Sequence, residues 1–332
     1  MNGHHNDSAT AIAGVYNGAI ASAAIAAAWE VGALKLLRDH GSIDLDEFSA
    51  ARDFDSVATR AMFTALAAAE IVVIDGNKIT AGENLAEAYR TKGFFYWLVR
   101  GSSNVFIRMP ELLHSSERGD GSYSRDAAAI AMACRDINHN FFDPVFQAAI
   151  AGIEYSSVAD LGCGSGERLF QLLRYRDDAK GLGIDVAHAA LTVAEAAAID
   201  AGLSERVAFL NDDVSKLEPR LEFDCVDLIT CFLMGHDFWP LENCVESLRR
   251  IRIAFPHAKR LLLGDTARTT QYRQQDFPIF TLGFEVGHDL MGTYIPTLCE
   301  WDVAIERSGW TCIKTHLVHT PADSVIFELE PR

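Results

Sequence analysis

Large apolar residues at Ile25, Trp29, Leu34 and Leu37, set among small alanines, give residues 9–38 the pattern of one alanine-rich helix with an apolar face. Helical patterning returns over Asp44–Ala51 and Ser56–Glu70. Two short apolar runs, Ile71–Ile74 and Lys78–Thr80, then flank Asp75-Gly76-Asn77, which is a hairpin signal. Helix, helix and hairpin in this order predict a winged-helix-like module. Residues 83–150 continue as helices with aromatic clusters at Phe94–Trp97 and Phe141–Phe142.

From about residue 155 short apolar runs alternate with helices. The runs are Ser157–Leu161, Gly181–Asp185, Val207–Leu210, Val226–Cys231, Arg260–Gly264, Thr311–His316 and Ser324–Leu329. Seven strands with intervening helices predict an α/β fold built on a twisted, mostly parallel sheet. Because the last two runs lie close together, they are expected to pair as a hairpin with an antiparallel final strand. The expected domains are a helical, winged-helix-like cap over 1–150 and a sheet domain over 151–332. A long apolar N-terminal helix needs a covering partner, so a homodimer through the N-terminal helices is expected.

The 332 residues carry 29 Lys and Arg against 46 Asp and Glu, a formal net charge of −17. Affinity for nucleic acid rests on cations that neutralise phosphates, and the helix Ser56–Glu70 carries Arg60 as its one basic residue. A nucleic-acid partner is therefore not expected, and neither is a DNA-binding regulator without turnover. A bilayer span needs roughly 18 to 20 apolar residues in succession, and Trp29-Glu30 ends the alanine run Ala19–Ala28. The first residues lack the positive start of a secretory signal. Seven cysteines without a C-x-x-C pair suit a reducing compartment, so neither a membrane nor export is expected, and the cytoplasm is.

The first run of the sheet domain ends in Asp160-Leu-Gly162-Cys-Gly164-Ser-Gly166 and leads into a helix. Glycines at a strand-to-helix turn let a ligand approach the backbone beside a helix N-terminus. About 20 residues on, Asp185 ends the next strand, where an acid accepts ribose hydroxyls. The third strand is followed by Asn211-Asp212-Asp213-Val214. The spacing G-x-G-x-G differs from the dinucleotide G-x-G-x-x-G. It resembles that of class I S-adenosylmethionine-dependent methyltransferases, with their Rossmann-like seven-stranded sheet. By that resemblance Asp160, Gly162, Gly164 and Gly166 hold the methionine end of the cofactor and Asp185 its ribose. Asp213 and Val214 meet the adenine, and Cys231 and Phe232 flank the sulfonium.

After the fourth strand comes Gly235-His236-Asp237-Phe-Trp239, and the tripeptide returns as Gly287-His288-Asp289. The first copy, behind a winged-helix-like domain, looks like the small-molecule O-methyltransferases, in which His236 would be the base that removes a phenolic proton. One base does not require a second copy. Two neutral imidazoles converging on one cleft suit a transition metal, with Asp237 and Asp289 orienting bound water.

The runs Ala159–Leu169, Met234–Pro240, Leu263–Asp265 and Phe280–Glu285 resemble a narrower group, the 2-oxo acid C3-methyltransferases of bacterial peptide natural-product and antibiotic biosynthesis. Members act on phenylpyruvate, 4-methyl-2-oxopentanoate or 5-guanidino-2-oxopentanoate. The resemblance implies a non-haem iron, or another transition-metal ion such as zinc, bound by His236 and His288. It also implies Asp237 and Asp289 as catalytic residues, Arg125 gripping the substrate carboxylate and Trp97 walling the pocket. Cys163 stands where the phenylpyruvate enzyme has Ser, and Val286 replaces an aromatic residue. Overall resemblance thus favours the guanidino substrate. The residues do not single out the base for the C3 proton: Asp237, solvent and hydroxide on the metal all fit.

Overall fold

The alanine-rich start of the chain forms two helices, not the single helix expected over 9–38. Helices α1 (Asn2–Glu30) and α2 (Ala33–His40) part at Gly32, whose φ of 79° lies in the left-handed region. The computed structural model describes residues 2–114, 125–271 and 276–332. It divides into two units, Met1–Glu111 with Gly121–Asn140 and Leu112–Asp120 with Phe141–Arg332.

In the first unit, β1 (Ser42–Asp44), α3 (Leu45–Ala50), α4 (Ser56–Ala68), β2 (Val72–Asp75) and β3 (Lys78–Ala81) follow α2. The expected β2–β3 hairpin gains a third strand, since β1 pairs antiparallel with β3 in the order β1-β3-β2. Asp44 ends that strand and caps α3 by accepting from the amides of Asp46 and Glu47. Leu34, Leu37, Phe48, Phe63, Leu66 and Ile79 form the core. Further on come α5 (Leu85–Tyr96), a π-helical turn over Trp97–Gly101, α6 (Ser103–Ile107), α7 (Met109–Leu112), which ends at the unit boundary, and α8 (Ala127–Ile137).

Ser8–Glu30 of α1 is, by length and composition alone, long and apolar enough to cross a membrane. This departs from the sequence expectation because alanine counts as apolar by composition while burying little area per residue. Ala24, Ile25 and Ala28 belong to the core of the unit, whereas Ile12, Val15 and Tyr16 are about 70% exposed, at 70%, 72% and 71%.

The second unit begins with α9 (Asp143–Ile150) and contains β4 (Ser157–Leu161), α10 (Glu167–Tyr175), β5 (Lys180–Asp185), α11 (His188–Asp200), β6 (Val207–Asn211) and β7 (Leu228–Phe232). There follow a 3₁₀ turn over Gly235–Phe238, α12 (Leu241–Ala254), β8 (Arg260–Thr266), α13 (Thr281–Met291), α14 (Leu298–Arg307), β9 (Trp310–Val318) and β10 (Ser324–Pro331). The sheet runs β6-β5-β4-β7-β8-β10-β9, parallel except for β10, which is antiparallel to both neighbours. This is the expected seven-stranded α/β fold with its antiparallel final strand. Trp301, Trp310, Phe223, Phe255 and Phe327 fill the core beside β8. Order reverses at β4, so the carboxyl ends of β4 and β7 border the crevice where open α/β sheets bind ligands.

Candidate active site

Gly162, Gly164 and Gly166 have φ of 69°, 52° and 79°, a backbone that other residues enter only with strain. A Cβ on Gly162 would lie 2.2 Å from Met234 Sδ, so the glycine also permits close packing. The turn is tied to β5 through the Gly164 amide, which donates to Asp185 Oδ2 at 2.9 Å, while the Ala187 amide donates to Oδ1 at 2.8 Å. A carboxylate has about four acceptor positions, so Asp185 retains capacity for ribose hydroxyls.

Asp160 is buried within β4 and accepts from Thr230 Oγ1 at 2.6 Å. Burial raises its carboxyl to about 6, against the lowering effects of the Thr230 hydrogen bond and nearby Arg168. Asp213 caps the turn Val214–Lys216, accepting from Ser215 N and Oγ, and its Oδ2 lies 2.7 Å from Lys216 Nζ. The Lys216 contact, then that of Ser215, lowers its carboxyl to about 2. Val214 and Cys231 are buried, and burial pushes the Cys231 thiol well up.

Phe232 has an unexpected neighbour. The Arg168 guanidinium stacks 3.8 Å from the Phe232 ring centre and 4.4 Å from that of Phe146, with Nη1 3.3 Å from Asp143 Oδ1. Arg168 is 8% exposed. An Arg in the first turn of a helix ordinarily faces solvent, so its sequence position carries no sign of this role.

The two histidines come together. Their ring centres are 5.3 Å apart and the planes nearly perpendicular, at 85°. His236 is set by Asp265, the fully buried carboxylate of β8: Oδ2 accepts from the His236 amide at 2.7 Å and Oδ1 from Nδ1 at 2.8 Å. The Thr266 amide also donates to Oδ1 at 2.8 Å. A Cβ on Gly235 would lie 2.9 Å from Asp265 Oδ2, which explains the glycine before His236. His288, on α13, places Nδ1 2.7 Å from the Phe284 carbonyl oxygen, which can only accept. Both rings therefore carry hydrogen on Nδ1, which makes Nε2 the acceptor nitrogen of the neutral form. The Phe284 ring centre lies 4.2 Å from that of His288 and 6.0 Å from that of His236, and the Phe280 ring is tilted against it at 5.4 Å.

The carboxylate that orients His236 is Asp265, a residue with no role expected from the sequence; Asp237 and Asp289 are the acids expected to orient bound water. Asp237 is exposed beside His236 in the turn. Asp289 is exposed and engaged by Arg268, with Nη2 2.5 Å from Oδ1. Asp265 stands in the run Leu263-Gly-Asp265, but nothing in that run marks it as the histidine's partner. Trp97 and Arg125 lie in the first unit. Trp97 is buried in the π-helical turn with its ring edge-on to Phe106, and Arg125 is exposed ahead of α8.

Histidines that bind metals donate their second nitrogen to a carboxylate or backbone carbonyl, and each imidazole here does one of these. Two imidazoles on one ion, with bonds of about 2.1 Å, put their ring centres about 5 Å apart, which the observed spacing matches. Among the described residues no group of three or more His, Cys, Asp and Glu that could hold a metal ion is present, so two imidazoles are all that side chains of this kind offer one.

A family described as a methyltransferase domain matches residues 154–276. The chain is 46% identical over 335 residues to methyltransferase ungE' of Aspergillus campestris, covering 98% of each protein. A shorter match, 32% over 138 residues and 40% of this chain, is to the indolepyruvate C-methyltransferase of Streptomyces griseus, of which it covers 39%. Among solved structures, mitomycin 7-O-methyltransferase MmcR shares the fold with a TM-score of 0.71 and 16% identity over 100% of both chains. Fold and glycine turn together define a class I methyltransferase. The chain belongs to the S-adenosylmethionine-dependent methyltransferases, and S-adenosylmethionine is its methyl donor.

Proposed function

We propose that this enzyme transfers the methyl group of S-adenosylmethionine to C3 of a 2-oxo acid, with a transition-metal ion, iron or zinc, bound by His236 and His288. The observation that carries this reading is the pair of buried imidazoles with ring centres 5.3 Å apart, the Nδ1 of each held by an oxygen acceptor. The shorter match to an indolepyruvate C-methyltransferase supports it.

Such an ion supplies Lewis acidity, which makes the C3 proton of a 2-oxo acid removable near neutral pH. The chain contributes the rest. Asp265 and the Phe284 carbonyl hold both imidazoles in one tautomer. Asp160, the three glycines and Asp185 grip the donor, Asp213 and Val214 border its adenine, and Cys231 and Phe232 flank the sulfonium. In this reading Asp237 takes part in removing the proton, and Arg125 and Trp97 keep the substrate-binding roles that the resemblance implies. Asp289, taken up by Arg268, acts on the helix that carries His288.

A guanidino substrate needs a carboxylate in bidentate contact. Glu285 and Asp289, the acids beside His288, are already engaged by Arg268, whereas the Phe284 ring lies against the His288 imidazole and the Phe280 ring against Phe284. These neighbours favour an aryl 2-oxo acid over 5-guanidino-2-oxopentanoate, and suit a place in natural-product biosynthesis. The exposed Ile12, Val15 and Tyr16 of α1 support a homodimer through the N-terminal helices.

The test is incubation with labelled S-adenosylmethionine and phenylpyruvate, indolepyruvate, 4-methyl-2-oxopentanoate or the guanidino acid, with products read by mass spectrometry. C3 methylation lost in the His236→Ala, His288→Ala double variant, together with its metal, is expected; full activity in that variant after chelation overturns the reading. The Asp265–His236 pair is also the arrangement of a general base. A phenolic O-methyltransferase is therefore the second reading, distinguished by transfer to oxygen that survives chelation and loss of His288.

A further inference from the structure

Five consecutive residues, Asp265–Thr269, leave the end of β8, and their polar groups reach both histidine-bearing segments. Asp265 takes the Nδ1 and amide of His236. Three residues on, Arg268 faces α13, with Nη2 2.5 Å and Nη1 3.3 Å from the two oxygens of Asp289 and Nη1 also 3.6 Å from Glu285 Oε2. The other Glu285 oxygen, Oε1, accepts from the amide and hydroxyl of Thr269, both at 2.8 Å. The Arg268 amide donates to the Pro296 carbonyl at 2.8 Å, which ties the same loop to the segment that follows α13. Glu285 and Asp289 lie one turn apart on α13 and bracket His288.

We infer that Arg268 is a positioning residue: its fork on Glu285 and Asp289 fixes the height and rotation of α13 against β8, and so the placement of the His288 imidazole opposite His236. The ends of one short loop thus set both rings. A forked guanidinium gripping two carboxylates resists rotation of the helix in a way that a single ammonium does not. Glu285 is 8% exposed, so its share of the contact is shielded from competing water. The argument rests on the metal-site reading for its functional consequence, but the placement of His288 is measurable without metal.

Two measurements on the full-length protein test it. Long-range ¹H–¹⁵N spectra of the metal-free protein report the two imidazoles. In Arg268→Met the His288 ring signals shift or broaden while those of His236 stay in place, and Arg268→Lys restores them in part. Co(II) titration, followed by visible absorption, shows affinity at least tenfold weaker in Arg268→Met, the size typical of losing a group that orients a metal ligand. Binding of S-adenosylhomocysteine at the glycine turn stays unchanged, which separates repositioning from unfolding. Should Arg268→Met fail that binding check, Asp289→Asn removes the bidentate partner and carries the same expectations. Unmoved His288 signals in a folded variant overturn the inference. So does a raised KM for the 2-oxo acid with unaltered Co(II) affinity, which makes Arg268 a substrate contact. Absence of Co(II) binding by the unaltered protein counts against the metal reading alone, because the imidazole spectra still decide the placement.

Discussion

The Thr230 hydroxyl donates to Asp160 Oδ1 across 2.6 Å between adjacent strands β4 and β7, beneath the glycine turn. Burial holds the Asp160 carboxyl at about 6, above its ordinary 3.8. Between these values the folded protein binds more protons than the unfolded chain, so stability falls as pH rises through that window. The penalty, roughly 3 kcal/mol, is fully present above the upper value. Asp160→Asn removes the charge and keeps an acceptor for Thr230. The melting temperature of the free variant should exceed that of the unaltered protein at pH 7.5, and the difference should vanish below pH 4. Calorimetry across this range checks it; an unchanged or lowered melting temperature at pH 7.5 contradicts the buried-charge account.

The same carboxylate ties donor affinity to pH. With Asp160 in its proposed place at the methionine end, its ionised form holds the cationic amine of the donor, so S-adenosylmethionine affinity should fall as pH drops through about 6 and this dependence should be absent in Asp160→Asn. Titration calorimetry at pH 5 and 7.5 reads it. Equal slopes in both proteins mean that another group carries the pH dependence.

Asp265→Asn keeps the shape but has one acceptor oxygen where the His236 amide, His236 Nδ1–H and the Thr266 amide share two, so its NH2 faces one of these donors. The imidazole then turns or changes tautomer, and methyl transfer should drop 10- to 100-fold with donor affinity preserved. Steady-state kinetics beside S-adenosylhomocysteine binding give the answer, and undiminished kcat removes Asp265 from the orienting role.

A Cβ on Gly264 would sit 2.3 Å from the Phe232 ring. Gly264→Ala should displace that ring together with the guanidinium stacked on it, weakening donor binding while the sheet persists. Circular dichroism and binding measured side by side test the point; unaltered donor affinity would place Phe232 away from the sulfonium.

Arg168→Met takes a cation from the largely buried Asp143, which keeps its hydrogen bond from Gln171 Nε2; losing one member of a buried ion pair costs about 3 to 5 kcal/mol. Adding Asp143→Asn should recover part of that loss. The double-mutant cycle in urea measures the coupling, and strictly additive effects rule it out.

Much of the fold was legible in the chain because its signals are local. Alternating apolar runs, the glycines of the turn and an acid at each of the next strand ends act through neighbours a few residues away, and the structure has the expected seven strands with the antiparallel β10. The break at Gly32 and strand β1 escaped that reading, since one glycine among alanines and three residues before a helix are weak signals beside their surroundings.

The pairing of carboxylates with the histidines is different in kind. By itself the sequence marked the candidate residues: the glycine turn, Asp160, Asp185, and two copies of Gly-His-Asp. Tertiary structure alone decided that Asp265 orients His236, that Asp289 grips Arg268, and that Arg168 stacks on Phe232. Those contacts join residues far apart in the chain, and their partners are selected by the register of β7 against β8 and by the way α13 lies on the loop after β8. A hydrogen bond depends on distance and direction in space, which the order of residues along the chain does not encode.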